Sequence, residues 1–275
     1  MKKSGEIPLH QLTSEKFQYA TLDNGHPENF DDVHRHNFYE IIWFEQVLPE
    51  SLLYLDFECF KLEKNQVYLI LPGQVFDMKL KGERGHVLAV SKELFGSTIE
   101  NGKLLSHQIR PFVLSGRSLE DCSALIQLIA KEYRDSGRID LLKAYLKALL
   151  IIIADETHFK SAQSTDHLRL EKLHTLIDRF YISQRESDFY ADALNITVHH
   201  LNYTVRKLLG LTVKKLISQR LILEAKRELS FGARSVKEIA YMLGFNDTSY
   251  FSRFFKTQTG MRPEDFKSQS NQNIK

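Results

Sequence analysis

The chain has 275 residues, 43% of them hydrophobic, with 37 Lys and Arg against 35 Asp and Glu and a formal net charge of +2. That length suits two globular domains rather than a disordered chain. The longest unbroken apolar run, Ala148–Ala154, is far short of the ~20 residues of a membrane-spanning helix, and the basic start Met1-Lys2-Lys3 has no apolar stretch behind it, so no membrane segment or secretory signal is expected and the cytoplasm is the expected compartment. Cys59 and Cys122 stand apart, without the spacing of a zinc finger or a disulfide framework.

The near-neutral sum hides a split. Residues 1–165 carry 19 basic and 23 acidic groups, a deficit of four, whereas residues 166–275 carry 18 basic and 12 acidic, a surplus of six. An asymmetry of this kind points to a polyanionic partner for the basic half.

Along the chain, four short runs rich in aromatic and β-branched residues come first: Phe38–Phe44, Leu52–Phe57, Val67–Leu71 and His86–Val90. Pro72-Gly73 and Lys81-Gly82-Glu83 break them, and the spacing predicts a small antiparallel barrel or sandwich. After Ser118 the period changes. Leu119, Cys122, Leu125, Ile126, Ile129 and Tyr133 mark one face of a helix, and Leu141–Ala154 predicts a second that is apolar on most sides. A barrel can cover only one side of such a helix, so the remaining apolar surface predicts either a subunit interface or an intramolecular helix pair. The polar stretch Ser161–Thr165 reads as a linker. The expected organisation is therefore a β domain over residues 1–117, a helix pair over 118–160 serving dimerisation, a linker over 161–165 and an all-helical domain over 166–275.

Helices are predicted at 168–181, 188–194, 197–209, 212–229, 235–243 and 247–259. Ser235 and Glu238 have the spacing of a capping box, and Val236, Ile239, Ala240 and Leu243 form one apolar stripe behind it. A short helix, a tight turn and a longer helix occur twice, over about 188–209 and about 235–259. Gly244 supplies positive φ in the second turn, Asn195 tolerates it in the first, Phe245 plugs the angle between helices, and Asp247 or Thr248 caps the next helix. This is the unit whose second helix enters a DNA major groove.

The stretch Ser235-Val236-Lys237-Glu238-Ile239-Ala240 through Leu243-Gly244-Phe245-Asn246-Asp247-Thr248-Ser249-Tyr250-Phe251-Ser252-Arg253-Phe254-Phe255-Lys256, followed by Gly260-Met261-Arg262-Pro263, resembles the DNA-binding domain of the AraC/XylS family of bacterial transcription regulators. Leu216–Lys226 is similar to the helix that joins that family's two helix-turn-helix motifs. The first motif departs from the family, with Tyr203 where Arg is usual and Val205 where an aromatic is usual.

The resemblance assigns base contacts to His199, Asn202, Tyr203, Thr248, Ser249, Ser252 and Arg253, and the helical period adds Arg206 to the outward set. Asn pairs bidentately with adenine and Arg with guanine. Lys207, Lys214, Lys215, Lys256 and Lys267 suit phosphates.

His34-Arg35-His36-Asn37-Phe38-Tyr39-Glu40 places two histidines on one face of an extended segment with a carboxylate close behind. The segment resembles the first motif of cupin barrels, which AraC-type regulators commonly carry as sensors. At the expected second motif, Phe76 stands where a metal-binding cupin has His, so no metal site or other cofactor is assigned. His34, His36, Tyr39, Glu40, Trp43 and Phe76 are expected either to line a small-ligand pocket or to fill the barrel.

The sequence thus predicts an α+β multidomain chain, with a cupin-like antiparallel β-barrel, a following helix pair and an all-α domain of two helix-turn-helix motifs. Its expected activity is ligand-controlled, sequence-specific binding to double-stranded DNA as a homodimer, with RNA polymerase as a further partner of an activator, and no catalysis. The alternatives are a cupin-type metalloenzyme with a helical assembly domain and a non-specific architectural DNA binder.

Overall fold

The computed structural model describes residues 9–12, 16–22, 33–78, 81–98, 111–159 and 165–272. The chain divides into an amino-terminal unit, Pro8–Ala162, and a carboxy-terminal unit, Gln163–Lys275. Strands β1 (Leu9–His10), β2 (Phe17–Thr21), β3 (His34–His36), β4 (Tyr39–Gln46), β5 (Leu52–Leu55), β6 (Glu58–Lys61), β7 (Gln66–Ile70), β8 (Val75–Met78), β9 (Arg84–Val90) and β10 (Phe112–Val113) belong to the first unit, with helices α1 (Lys92–Thr98), α2 (Gly116–Asp135) and α3 (Ile139–Phe159). The second unit is helical: α4 (Thr165–Phe180), α5 (Ser187–Ala193), α6 (Val198–Leu209), α7 (Val213–Phe231), α8 (Val236–Met242), α9 (Thr248–Thr259) and α10 (Pro263–Gln272).

Alternation along β4 organises the first unit, because successive side chains of a strand point to opposite faces. Ile42 and Phe44, with Tyr68, Ile70 and Val87 of its neighbours, meet Leu53, Phe76 and Met78 of the other sheet. Ile41 and Trp43, with Val67, Leu69 and Leu88, pack against Cys122, Ile126 and Ile129 of α2 and Leu142, Leu146 and Leu149 of α3. The result is three layers: sheet, sheet and helix pair. A sheet buried on both faces explains the unbroken apolar run Val67–Ile70.

Of the barrel or sandwich that the strand spacing predicts, the described residues form the sandwich-like arrangement, and no closed barrel is found among them. Among the described residues the strands form two separate five-stranded sheets, ordered β1-β3-β8-β5-β6 and β10-β7-β4-β9-β2, and β1 runs parallel to β3. Among the described residues, β1 and β6 end one sheet and β10 and β2 end the other, with no ladder joining the two.

Of the two outcomes left open for the apolar surplus of α3, intramolecular packing takes most of it: Leu142, Leu146, Leu149, Leu150 and Ile153 are buried, while Ile139 and Ile151 remain exposed. The turn between α2 and α3 is held by one carboxylate. Glu132 accepts hydrogen bonds from Arg138 N at 3.0 Å, Nε at 2.9 Å and Nη2 at 2.8 Å. These bonds, from the Arg138 side chain first, hold the Glu132 carboxyl down at about 2 against an ordinary 4.5. A carboxyl lowered by folding stabilises the fold above its unfolded value and loses that contribution as pH falls through the folded one. The turn is therefore expected to weaken between pH 4.5 and 2. In thermal melts across this range, Glu132→Gln should flatten the acid limb; an unchanged limb would discard the role.

The second unit is built around α7, which packs against α4, α6, α8, α9 and α10. Its core includes Leu173, Ile177, Tyr190, Leu201, Val205, Leu221, Ala225, Ile239, Phe251 and Phe255. Between α4 and α7, Arg220 donates to Asp178 at 2.8 Å and Glu224 at 2.9 Å and lies over the Tyr181 ring at 4.3 Å. Of the expected linker, residues 161–164 lie outside the described residues, and Thr165 is the first residue of α4.

Candidate functional site

The two short-helix, turn, long-helix pairs are α5 with α6 and α8 with α9. Each turn contains one residue in the left-handed region, Asn195 at φ 54° and Gly244 at φ 75°, as the sequence leads one to expect. At Gly244 space adds to the conformational demand, since a Cβ would sit 3.2 Å from Ile182 O and from the Arg185 guanidinium. Phe245 is buried against Phe251 and Phe254, with ring centroids 5.2 and 5.3 Å away. Thr197 and Asp247 cap α6 and α9 by accepting from His200 N and Tyr250 N. The capping box of Ser235 and Glu238 is formed in full, and its hydrogen bonds from Ser235 keep the Glu238 carboxyl low.

Both longer helices carry an apolar side inward and a polar side outward. On α6, Leu201 and Val205 are buried while His199, Tyr203 and Arg206 are exposed, Tyr203 to 57%. On α9, Phe251 and Phe255 are buried while Ser249 and Arg253 are exposed, with Thr248 and Ser252 half-buried at the flanks. Asn202 departs from its expected outward role. Its Nδ2 donates to Val198 O at 3.2 Å and its Oδ1 accepts from Val213 N at 3.2 Å, so the amide ties α6 to the first turn of α7. The Asn202 amide thereby satisfies one of the orphan N–H groups at the start of α7.

The lysines expected at phosphates lie at the surface, most of them in exchangeable contacts. Lys207 pairs with Asp166 at 3.0 Å, a bond that lowers the Asp166 carboxyl and raises the Lys207 ammonium. Lys214 pairs with Glu186 at 2.9 Å and Lys215 reaches Gln258 at 2.7 Å, while Lys256 is exposed. Exposed pairs of this kind are weak enough for a phosphate to displace them. Lys267 is different: its Nζ donates to the carbonyls of Gly232 and Arg234 at 3.1 and 2.6 Å, closing the loop after α7.

The residues expected to share a ligand pocket in the first unit are divided by β4. His34, His36, Glu40 and Phe76 lie together on one side, with His34 5.3 Å and His36 6.3 Å from the Phe76 ring. Tyr39 and Trp43 face the helices, Tyr39 stacked on Phe95 at 3.8 Å and Trp43 beside His86 at 5.7 Å. The period of two makes this unavoidable, because residues 39 and 40 of one strand cannot point the same way. Trp43, His86, Leu88, Leu149 and Ile153 line a small cavity of about 10 Å³, room for about one water and far below the ~300–1,000 Å³ of pockets for drug-sized ligands. Strand β1 also brings His10 to the histidine side, stacked on His34 with ring centroids 4.7 Å apart.

A family profile described as a helix-turn-helix domain matches residues 190–269, from α5 into α10. The chain is 24% identical over 198 residues to the HTH-type transcriptional activator Btr of Bacillus subtilis (strain 168), a match covering 70% of this chain and 37% of Btr. It is 29% identical over 101 residues to the HTH-type transcriptional activator RhaS of Yersinia pestis (strain Pestoides F), covering 37% of each. The carboxy-terminal unit carries a helix-turn-helix domain of the AraC type. The matches span 37% of the length of either activator. Among solved structures, ToxT from Vibrio cholerae aligns over 93% of this chain and 98% of its own, at 17% identity and a TM-score of 0.43.

Two features of the AraC-type unit escaped the sequence reading. Tyr250 is 56% exposed on the outward side of α9, three residues before Arg253, a spacing that was legible. Arg185 precedes α5, donates through Nη2 to Leu243 O at 2.5 Å and stacks over Phe245 at 4.1 Å. No sequence signal links residues so far apart in the chain.

Proposed function

We propose that this chain is a sequence-specific DNA-binding transcription regulator of the AraC type, acting in the cytoplasm, with α6 and α9 as the helices that read two major-groove tracts and the amino-terminal unit as the sensor of a small ligand. The observation that carries it is the pairing of two polar outward helix faces on one core, joined by α7. At 19 residues and ~1.5 Å per residue, α7 is about 28 Å long, close to the ~34 Å of one DNA turn. His199, Tyr203, Arg206, Ser249, Tyr250 and Arg253 are the direct readers, with Thr248 and Ser252 at the edges, and Lys207, Lys214, Lys215 and Lys256 hold phosphates. Asn202 braces α6. The reading includes a homodimer through α2 and α3 and, for an activator, contact with RNA polymerase.

Selection of duplexes from a random pool should enrich one non-palindromic split sequence. Arg253→Ala should then lose about 1–3 kcal/mol on that sequence and much less on random DNA at the same salt, as loss of a bidentate base contact requires. Equal loss on both duplexes reassigns Arg253 to a phosphate, and a pool that yields no enriched sequence removes the specific-reader function.

A further inference from the structure

We propose that His10, His34 and His36 bind one divalent transition-metal ion, with Glu40 as the carboxylate behind them. One nitrogen from each ring lies within 4.8 Å of the others. Zinc–nitrogen bonds of ~2.0–2.1 Å in a tetrahedron put ligand nitrogens about 3.4 Å apart, so no pair of these atoms has more than about 1.4 Å to close.

The backbone places all three. His34 and His36 share one face of β3 through the period of two. His10 is fixed opposite His36 by the parallel register of β1 and β3 and by a hydrogen bond of 3.1 Å from Asn37 N to His10 O. His34 and His36 are each 1% exposed and Glu40 is 0% exposed, so the site is shielded from water on the protein side. Glu40 Oε2 lies 3.5 Å from His36 Nδ1. Once the ring turns onto a metal, a hydrogen bond from Nδ1 to this carboxylate would leave Nε2 as the ligand and raise its basicity.

The donor set decides the ion. Three neutral imidazoles suit zinc, cobalt, nickel or copper and suit magnesium and calcium poorly, since those ions take oxygen ligands. Phe76, edge-on to His34 at 5.3 Å, closes the side from which β8 would offer a fourth ligand. The third histidine comes instead from β1, an element the motif spacing does not contain. A metal held there pins the two-residue strand β1 to the sheet.

The test uses the full chain, stripped with a chelator and dialysed, and titrated with Co²⁺ alone. Visible ligand-field absorption should saturate at one ion per chain, and the thermal midpoint should rise with added metal. His10→Ala and the shape-conserving His10→Gln should each weaken binding about tenfold or more and lose the rise in midpoint, while far-UV circular dichroism without metal stays as in the parent. Sub-stoichiometric cobalt in the parent, or equal binding by the parent and both variants, overturns the site. The titration contains no DNA and the AraC-type unit contains none of these residues, so failure here and failure of the DNA reading are separate results.

Discussion

Phe251→Ala is expected to destabilise the carboxy-terminal unit by about 3–5 kcal/mol, the usual cost of truncating a buried aromatic to Ala. The ring is fully buried and lies 5.2 Å from Phe245 and 6.0 Å from Phe255. It therefore joins the turn, the longer helix of the second pair and the core beneath them. Helix α9 is capped at Asp247 and ended by left-handed Gly260, which limits how far it can settle into the cavity left behind. Against a typical total stability of ~5–15 kcal/mol, such a loss should lower the helical unfolding midpoint by about 12 °C or more. A fall of less than about 3 °C would mean that the second pair tolerates the void and that its core is not the one described. Affinity for any selected duplex should fall with it at temperatures where the unit is partly unfolded.

Gly85→Ala should be the most damaging small substitution in the amino-terminal unit. A Cβ at Gly85 would lie 2.0 Å from Trp43 O, 3.0 Å from Trp43 C and 3.1 Å from Phe44 Cα, all backbone atoms of β4. Gly85 pairs with Phe44 where the β4–β9 ladder shifts register between Phe44 and Gln46, and a glycine in a strand is suited to such a close approach. No flexible side chain can yield, so the two central strands must separate. The expected cost is at the upper end of the ~1–3 kcal/mol of ordinary overpacking or above it, read as a lowered midpoint or as insoluble protein. Gly96→Ala is the control: it lies in α1 with nothing within 4 Å of its Cβ, and Ala there should be neutral or stabilise by about 0.5–1 kcal/mol. Equal behaviour of the two variants would refute the close approach.

The helical unit was legible because its signals are local. The stripe through Val236, Ile239, Ala240 and Leu243, the Ser235 capping box, and Asn195 and Gly244 in the turns each name a conformation within a few residues, and α5 to α9 fall where the 3.6-residue period puts them. Pro263 at the first position of α10 was a start signal too, but a mostly polar helix gives the period little to work on. The first unit was harder. The turn Asp56-Phe57 joining β5 to β6 has positive φ at both residues without a glycine to announce it. A strand as short as β1 leaves no periodic trace, so the arrival of His10 beside His34 depends on pairing across the chain. The division of Tyr39 and Trp43 from Glu40 needed only the alternation of one strand. The redirection of Asn202 is the converse case, since an outward position on α6 is also beside the unsatisfied N–H of Val213.

The anchoring of Leu243 and Phe245 by Arg185 bears on what a duplex must offer. A side chain that leads into the first helix pair grips the turn of the second, so the two helices proposed to read DNA do not swivel independently on α7. Under the proposed function, two recognition tracts then have to present themselves at one rotational phase. Each base pair inserted between them would turn the far tract by about 34° around the DNA axis, carrying its base edges out from under α6 or α9 while leaving every phosphate contact on the near side intact.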